Sequence, residues 1–276
     1  MRQADLIPTV EILAIGNELL TGYVLDTNSH WLCRQLTLRG ARVTRMATLP
    51  DAAEVIGPAL LAVLARAPAL ILTCGGLGPT VDDLTVAAVA AALGRPLADD
   101  PMAYRMVQNF YALLFARGEV TRGEMTPARA KMARLPTGAT PLINTVGAAP
   151  GVLLTEGETT IVCLPGVPAE LKAIYEEALW PRLAAGFTGQ AFGERTIGTD
   201  CHDETVLAPA VDAVAGRHPQ VYVKSRAQVY GGGVADFVTL AARGVDAATV
   251  ARLLAAAESD LRHALATVGV RVLDER

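Results

Sequence analysis

Cysteine is scarce and scattered: Cys33, Cys74, Cys163 and Cys201 form no CxxC pair. That pattern excludes a disulfide framework and a cysteine zinc site, and fits a reducing compartment. Aromatic residues make up only 5% and charged residues 19% of the 276 positions. Long apolar runs are missing as well, since the longest such region, Ala59 to Leu72, is broken by Arg66 and Pro68. It cannot span a bilayer. The opening MRQADLIPTVEILAIG carries acids inside its apolar segment and does not read as a signal peptide. Cytoplasmic localisation is therefore expected. Net charge is −4 and the isoelectric point about 5.6, which argues against nucleic acid or an anionic membrane as the main partner. A GxSxG elbow is absent, which disfavours covalent acyl chemistry. His30, His202, His218 and His263 lack metal-ligand spacing and read as surface or capping residues.

What is abundant is Ala, Val and Leu, within a 51% hydrophobic content suited to helices packed on a parallel sheet. Short apolar runs alternate with helical patterns from Val10 to about Pro181. Strands are expected at Val10–Ile15, Val43–Thr48 and Ala69–Thr73, and helices at Asn28–Arg39, from Pro50-Asp51 to about Arg66, and at Asp82–Leu93. Successive βαβ units predict a doubly wound, mostly parallel α/β sheet. Further on, Asp100–Arg117 and Met125–Lys131 read as helices, Thr140–Ile143 as a strand, Gly151–Thr155 and Thr160–Leu164 as a hairpin-like pair, and a helix starts near Pro168. AAGFTGQAFG after Pro181 reads as a linker. The remainder follows strand (Arg195–Gly198), helix (Asp203–Val214), strands (Val221–Arg226, Val234–Ala242) and helix (Ala247–Ala266), with a flexible tip at Gly231–Gly233. The expected domains are 1–185 and a smaller α+β domain, 190–276.

LTCGGLGPTVDDLT, Leu72 to Thr85, is the most informative segment. A strand running into Gly75, Gly76 and Gly78 leaves no side chains where the backbone turns, so an anion can rest on exposed N–H groups near the next helix. Ligands of open α/β sheets bind at this carboxyl edge. Thr73, Thr80 and Thr85 join these glycines as candidates for binding phosphate or nucleotide. Asp82 and Asp83, at the expected start of a helix, would ordinarily be caps. Doubled and followed by Thr85, they become candidates for catalysis and for holding a divalent ion. Three companion segments end other strands: GNELLTG with Gly16 and Glu18, NTVGAAPG with Asn144 and Gly147, and LPGVPAE with Pro165, Gly166, Pro168 and Glu170. Glu18 could ligate metal or hold a ribose hydroxyl. Each alone reads as a structural turn, with Glu170 an ordinary carboxylate in a helix first turn. Four on one sheet edge are harder to explain by turns. Lys224 and Arg226 read as a solvated strand edge, and Asn109, Arg129 and Lys131 receive no role.

GNELLTGYVLDTN, TCGGLGPTVDDLT, NTVGAAPG and LPGVPAE stand in the order and approximate spacing of the CinA-type competence/damage-inducible family, which this sequence resembles from Gly16 to Glu170. The resemblance implies a first domain with the molybdopterin-binding fold of molybdenum-cofactor biosynthesis proteins. The single functional Asp of those proteins falls on Asp83, and a second carboxylate, in a PD dipeptide, on Asp51. It also implies hydrolysis of ADP-ribose to AMP and ribose 5-phosphate with Mg²⁺, Mn²⁺ or Co²⁺, and a KH-type second domain. The sequence ends where longer relatives continue into a deamidase domain, so deamidase activity is not carried over. Cys74 stands where the family usually has Gly or Thr.

Two readings follow for the first domain. One is a metal-dependent pyrophosphohydrolase acting on a nucleotide substrate, with Asp82 and Asp83 holding the ion and Asp51 as a third catalytic candidate. The other is a molybdopterin-binding or adenylyl-transfer protein using Asp51 and Asp83. Two adjacent carboxylates favour the first, because they suit an ion better than a neutral pterin. For the second domain, 9 Lys+Arg against 11 Asp+Glu over residues 190–276 lack the footprint of an RNA-binding module. A dimerisation or lid role is expected instead, in a homodimer.

Overall fold

The computed structural model describes residues 7–187, 191–230 and 233–273, with the side chains of 228–230 and 233–235 outside the description. The chain parts into two compact units, one of Leu6–Leu36 and Ala41–Phe187, the other built mainly on Thr188–Arg276.

The first unit runs β1 (Thr9–Ile15), α1 (Asn17–Leu20), α2 (Thr27–Leu38), β2 (Arg42–Leu49), α3 (Ala53–Leu64), β3 (Leu70–Cys74), α4 (Thr85–Ala92), β4 (Leu97–Asp99), α5 (Pro101–Ala116), α6 (Pro127–Lys131), β5 (Arg134–Pro136), β6 (Thr140–Leu142), β7 (Gly151–Glu156), β8 (Thr159–Leu164), α7 (Pro168–Ala173), a π-turn at Ile174–Leu179, and α8 (Trp180–Leu183). Its sheet has the order β2-β1-β3-β8-β7-β6. The first four strands are parallel, while β7 and β6 are added antiparallel. This is the mostly parallel, doubly wound α/β sheet expected.

Alternation along the buried strands divides the core between the two faces. Ile12, Leu70, Leu72 and Val162 pack with Leu32 and Leu36 of α2, Leu171 of α7, and Ile174 and Tyr175 of the π-helical segment after it. Leu13, Ile71 and Ile161 pack with Leu60 and Val63 of α3, Val89 of α4 and Val107 of α5. The one charged group within β1 is Glu11, only 4% exposed. Arg66 meets it with two hydrogen bonds of 2.7 and 2.6 Å.

Several local expectations are corrected. The helix after β3 starts at Thr85 with Leu84 at its N-cap and no side-chain cap, so neither Asp82 nor Asp83 caps it. The helix after Pro50 starts at Ala53, and Asp51 turns its carboxylate to the Asn17 N–H instead, at 2.7 Å. The expected linker is partly ordered structure. Ala184–Phe187 forms a 3-10 turn, Phe187 packs on Trp180 with ring centroids 5.5 Å apart, and Ala191–Gly193 already belongs to a strand.

The second unit runs β9 (Ala191–Thr199), α9 (Glu204–Arg217), β10 (Val221–Tyr230), β11 (Gly233–Gly244), α10 (Ala247–Thr267) and β12 (Val272–Leu273). It forms an antiparallel sheet of order β10-β11-β9-β12. Asp203 and Asp246 cap α9 and α10 through Thr205 and Thr249 N–H groups. Leu207, Val214, Leu254, Leu261 and Leu265 bury the apolar stripes of those helices. The tip expected at Gly231–Gly233 lies outside the described residues at 231 and 232. No helix of the described residues is long and apolar enough to cross a membrane, and all four cysteines are free thiols.

Candidate functional site

The carboxyl ends of β1, β3 and β8 open into a cleft of about 490 Å³ whose walls come from all four motif segments. The glycine loop forms its floor. Gly75 and Gly76 have φ of 109° and 71°, the left-handed region that glycine enters without steric cost. A β-carbon on Gly75 would overlap the Ile15 carbonyl, and one on Gly76 would overlap the Thr85 hydroxyl. The Thr85 hydroxyl, wholly buried, donates to the Gly75 carbonyl at 2.8 Å. Thr85 therefore holds the loop's shape from beneath. Gly75 N–H is spent on Leu164 O at 2.9 Å, whereas the N–H groups of Gly76, Leu77 and Gly78 meet no protein acceptor among the described residues. Three successive donors of this kind suit an anionic oxygen.

Beyond the glycines the chain turns at Thr80–Asp83. Asp83 Oδ2 accepts from the Thr80 N–H at 2.8 Å and from its hydroxyl at 2.6 Å. The same hydroxyl reaches Asp82 Oδ1, and that contact, followed by backbone bonding, holds the exposed Asp82 carboxyl below its ordinary value. Lys131 binds the Thr80 carbonyl from α6.

Another part of the lining is built around Glu170. Asn144 accepts the Val146 and Gly147 N–H groups at 3.1 and 2.9 Å. Its amide donates to Ala149 O at 2.8 Å and to Glu170 Oε2 at 2.6 Å. A β-carbon at 147 would fall where the Glu170 carboxylate lies, so a side chain there would displace that carboxylate. Burial raises the Glu170 carboxyl above its ordinary value, against the opposing pull of the Asn144 bond. One cleft thus holds one carboxyl pushed down and one pushed up.

The predicted residues sort clearly. Glu18, Asp51, Gly75, Gly76, Gly78, Asp82, Asp83, Gly147, Pro165, Gly166 and Glu170 line the cleft. Gly16, Thr80, Thr85 and Asn144 stand behind it and hold its walls. Pro168 borders a smaller cavity of about 80 Å³ beside Cys74 and Asn28. Thr73 lies wholly buried in β3 and is not among the residues that line the cleft. Burial also pushes the Cys74 thiol far up, so this departure from the family pattern is inert packing.

Sequence reasoning missed Phe110, Tyr111 and Met132, which also line the cleft. The Arg129 guanidinium lies 3.7 Å from the Tyr111 ring centroid and binds the Arg122 and Glu124 carbonyls at 2.9 and 2.7 Å. Periodicity marked α5 as a helix. Which turn of it lines the cleft has no local signal.

Five carboxylates line the cleft (Glu18, Asp51, Asp82, Asp83 and Glu170), and its described lining has no Lys or Arg. A phosphate entering such a field needs a cation with it. No group of three or more His, Cys, Asp or Glu among the described residues converges as a complete metal cage. The donor set nevertheless fits an ion of the Mg²⁺ type, which takes one or two carboxylates and completes its shell from phosphate and water. Asp82 and Asp83, meeting at one hydroxyl, are the pair that fits.

A family model described as a probable molybdopterin binding domain matches residues 11–185. A protein of Aeropyrum pernix is 43% identical over 222 residues, covering 80% of this chain and 80% of its own. One from Pyrobaculum calidifontis is 42% identical over 218 residues, covering 79% and 80%. Among solved structures, the protein CinA of Thermoplasma acidophilum, described as of unknown function, is 32% identical, with a TM-score of 0.56. It covers 66% of this chain and 98% of its own.

Proposed function

This chain belongs to the family of probable molybdopterin binding domains, and from that premise we propose that its cleft binds a phosphorylated planar heterocycle of molybdopterin type. The observation that carries the reading is the run of unpaired N–H donors at Gly76, Leu77 and Gly78 in a cleft that Phe110, Tyr111 and Met132 also line. The phosphate rests on the donors, and the ring packs against these apolar side chains.

The doubled carboxylate favours a second reading, metal-dependent cleavage of the anhydride of ADP-ribose to AMP and ribose 5-phosphate. Asp82 and Asp83 would hold Mg²⁺, Mn²⁺ or Co²⁺, which supplies positive charge to the phosphate oxygens. Asp82, held ionised by Thr80, keeps that charge in place. Glu170, whose carboxyl is raised, takes the proton from the attacking water, and Asn144 aims it. Asp51 fixes the Asn17 N–H and so the position of Glu18 on the cleft's rim.

Calorimetry with molybdopterin, AMP and ADP-ribose, with and without each cation, tests both readings, with products resolved by chromatography. Molybdopterin binding without ADP-ribose cleavage leaves the first alone. Chelator-sensitive release of AMP establishes the second. Binding of none of the three sinks both. The protein's oligomeric state, proposed to be a homodimer in the cytoplasm, is read by light scattering of the same preparation.

A further inference from the structure

The sheet of the second unit is covered by its own helices on one face only. Its chain order β9-α9-β10-β11-α10-β12, with strands arranged β10-β11-β9-β12, is the split βαβ, ferredoxin-like arrangement. Ile197, Val221, Val238, Leu240 and Ala242 are buried on the helical side. There Arg195 meets Glu258 of α10, and Ser225 donates to Glu204 of α9 at 2.5 Å. Alternation sends the intervening residues to the other side. The register sets Tyr222 beside Ala241 and Glu194, Lys224 beside Thr239 and Thr196, and Arg226 beside Phe237 and Gly198. Tyr222 is 62% exposed, and Lys224 and Arg226 are exposed too. Phe237 lies over Gly198, where a β-carbon would stand 3.3 Å from its ring.

Charge divides the same way. The domain total is slightly negative, but the acids gather on the helical side, with Asp203, Glu204 and Asp212 on α9 and its cap, and Asp246, Glu258 and Asp260 on α10 and its cap. Among the described residues of the open face, Glu194 is the only acid, against Lys224, Arg226 and Arg243. Lys224 has no hydrogen-bond or ion-pair partner among the described residues. Arg226 gives one donor to the Thr239 hydroxyl at 3.0 Å and, with five in all, keeps others for a ligand. We propose that this face binds a single-stranded nucleic acid, with a base stacked on Tyr222 and backbone phosphates on Lys224 and Arg226. Alternate residues of a strand stand about 7 Å apart, so the three side chains form a row that an extended run of nucleotides can follow. A KH module holds nucleic acid at a GxxG loop. Residues 190–276 contain no GxxG, and the sheet face takes that place. A duplex fits this face poorly, because its bases are stacked on one another and out of reach of Tyr222.

The test is fluorescence anisotropy of labelled oligouridylate and oligothymidylate, with a duplex of the same length beside them, on the full chain at several salt concentrations. The single strands are expected to bind at low salt and the duplex at least about tenfold more weakly. Tyr222→Ser should lose about tenfold, whereas Tyr222→Phe, which keeps the ring, should not. Lys224→Gln and Arg226→Gln should each reduce the slope of log affinity against log salt by about 0.7. The ratio between the two single strands tells RNA from DNA, and either order supports the site. Failure of both strands to bind at low salt overturns it. So does affinity that Tyr222→Ser and Lys224→Gln leave unchanged, or binding that AMP abolishes, which would put the strand in the cleft of the first unit. Light scattering that shows a dimer lost on Tyr222→Ser, with no oligonucleotide bound, would give the face to a second copy of the chain instead. Circular dichroism melting of each variant confirms that the comparison is made on folded protein.

Discussion

Asn144 and Glu170, 26 residues apart in the chain, meet at 2.6 Å across the cleft wall. Asn144 spends its other atoms on Val146, Gly147 and Ala149, so the loop after β6 and the first turn of α7 are tied together through one carboxylate. Burial lifts that carboxyl above the ordinary value of 4.5. A raised acid is more stable protonated in the folded state. Its favourable contribution is therefore complete below about pH 4.5 and is lost as the pH rises through the raised value. Glu170→Gln removes this dependence. The variant is expected to melt at or above the wild-type temperature at pH 7, with the difference vanishing toward pH 4, while turnover falls and loses its acidic limb. Melting curves across pH, beside rate profiles, check it. A variant destabilised at every pH would mean that Glu170 serves packing.

Asp83 is no helix cap, so the substitution Asp83→Asn tests charge with little structural cost. An amide oxygen can still accept from Thr80, and stability should fall by at most about 1 kcal/mol. Cation affinity in the presence of AMP should fall at least tenfold. Asp82→Asn should follow if both carboxylates ligate and be mild if one does. Titration calorimetry with Mn²⁺ reads both, and unchanged affinity in both variants would remove the metal from this site.

Gly76→Ala and Gly94→Ala form a matched pair. Both positions have positive φ, 71° and 63°. A β-carbon at 94 meets nothing within 4 Å, whereas one at 76 overlaps the Thr85 hydroxyl. Gly94→Ala should cost only the backbone penalty of about 1–2 kcal/mol. Gly76→Ala should cost more than that and abolish ligand binding, because the buried Thr85–Gly75 bond must break. Chemical denaturation of the two variants gives the comparison.

Glu11 and Arg66 test the interior. Removing Arg66 with Arg66→Met strands a buried carboxylate in β1, and the melting temperature should fall. Glu11→Leu in the same chain should restore most of it. If the single variant melts like wild type, water reaches Glu11 and the pair is only a surface contact.

Strands β1, β3 and β8, with α2 between the first two parallel strands, were legible because period and punctuation are local properties: apolar runs, a glycine at 40 closing α2, glycines after β3. The four loops at one sheet edge were legible for the same reason, since parallel strands point their carboxyl ends one way. The start of α4 was misjudged because the Thr80 hydroxyl and N–H engage the carboxylates of Asp82 and Asp83 before they can cap a helix. Ala191–Gly193 looked like linker by composition and became strand because β11 supplies its hydrogen-bond partners.

The sequence by itself determined the doubly wound class and the glycine loop, through residue types that allow few backbone choices. Only the tertiary structure decided which side chains complete the site. Phe110 and Tyr111 of α5 and Met132 after α6 reach the cleft, and Lys131 reaches the Thr80 turn, by packing that leaves no mark in local periodicity. It also decided that Thr73 faces inward and Thr85 supports from below, because the side of a strand or helix that meets a ligand is set by what covers the other side.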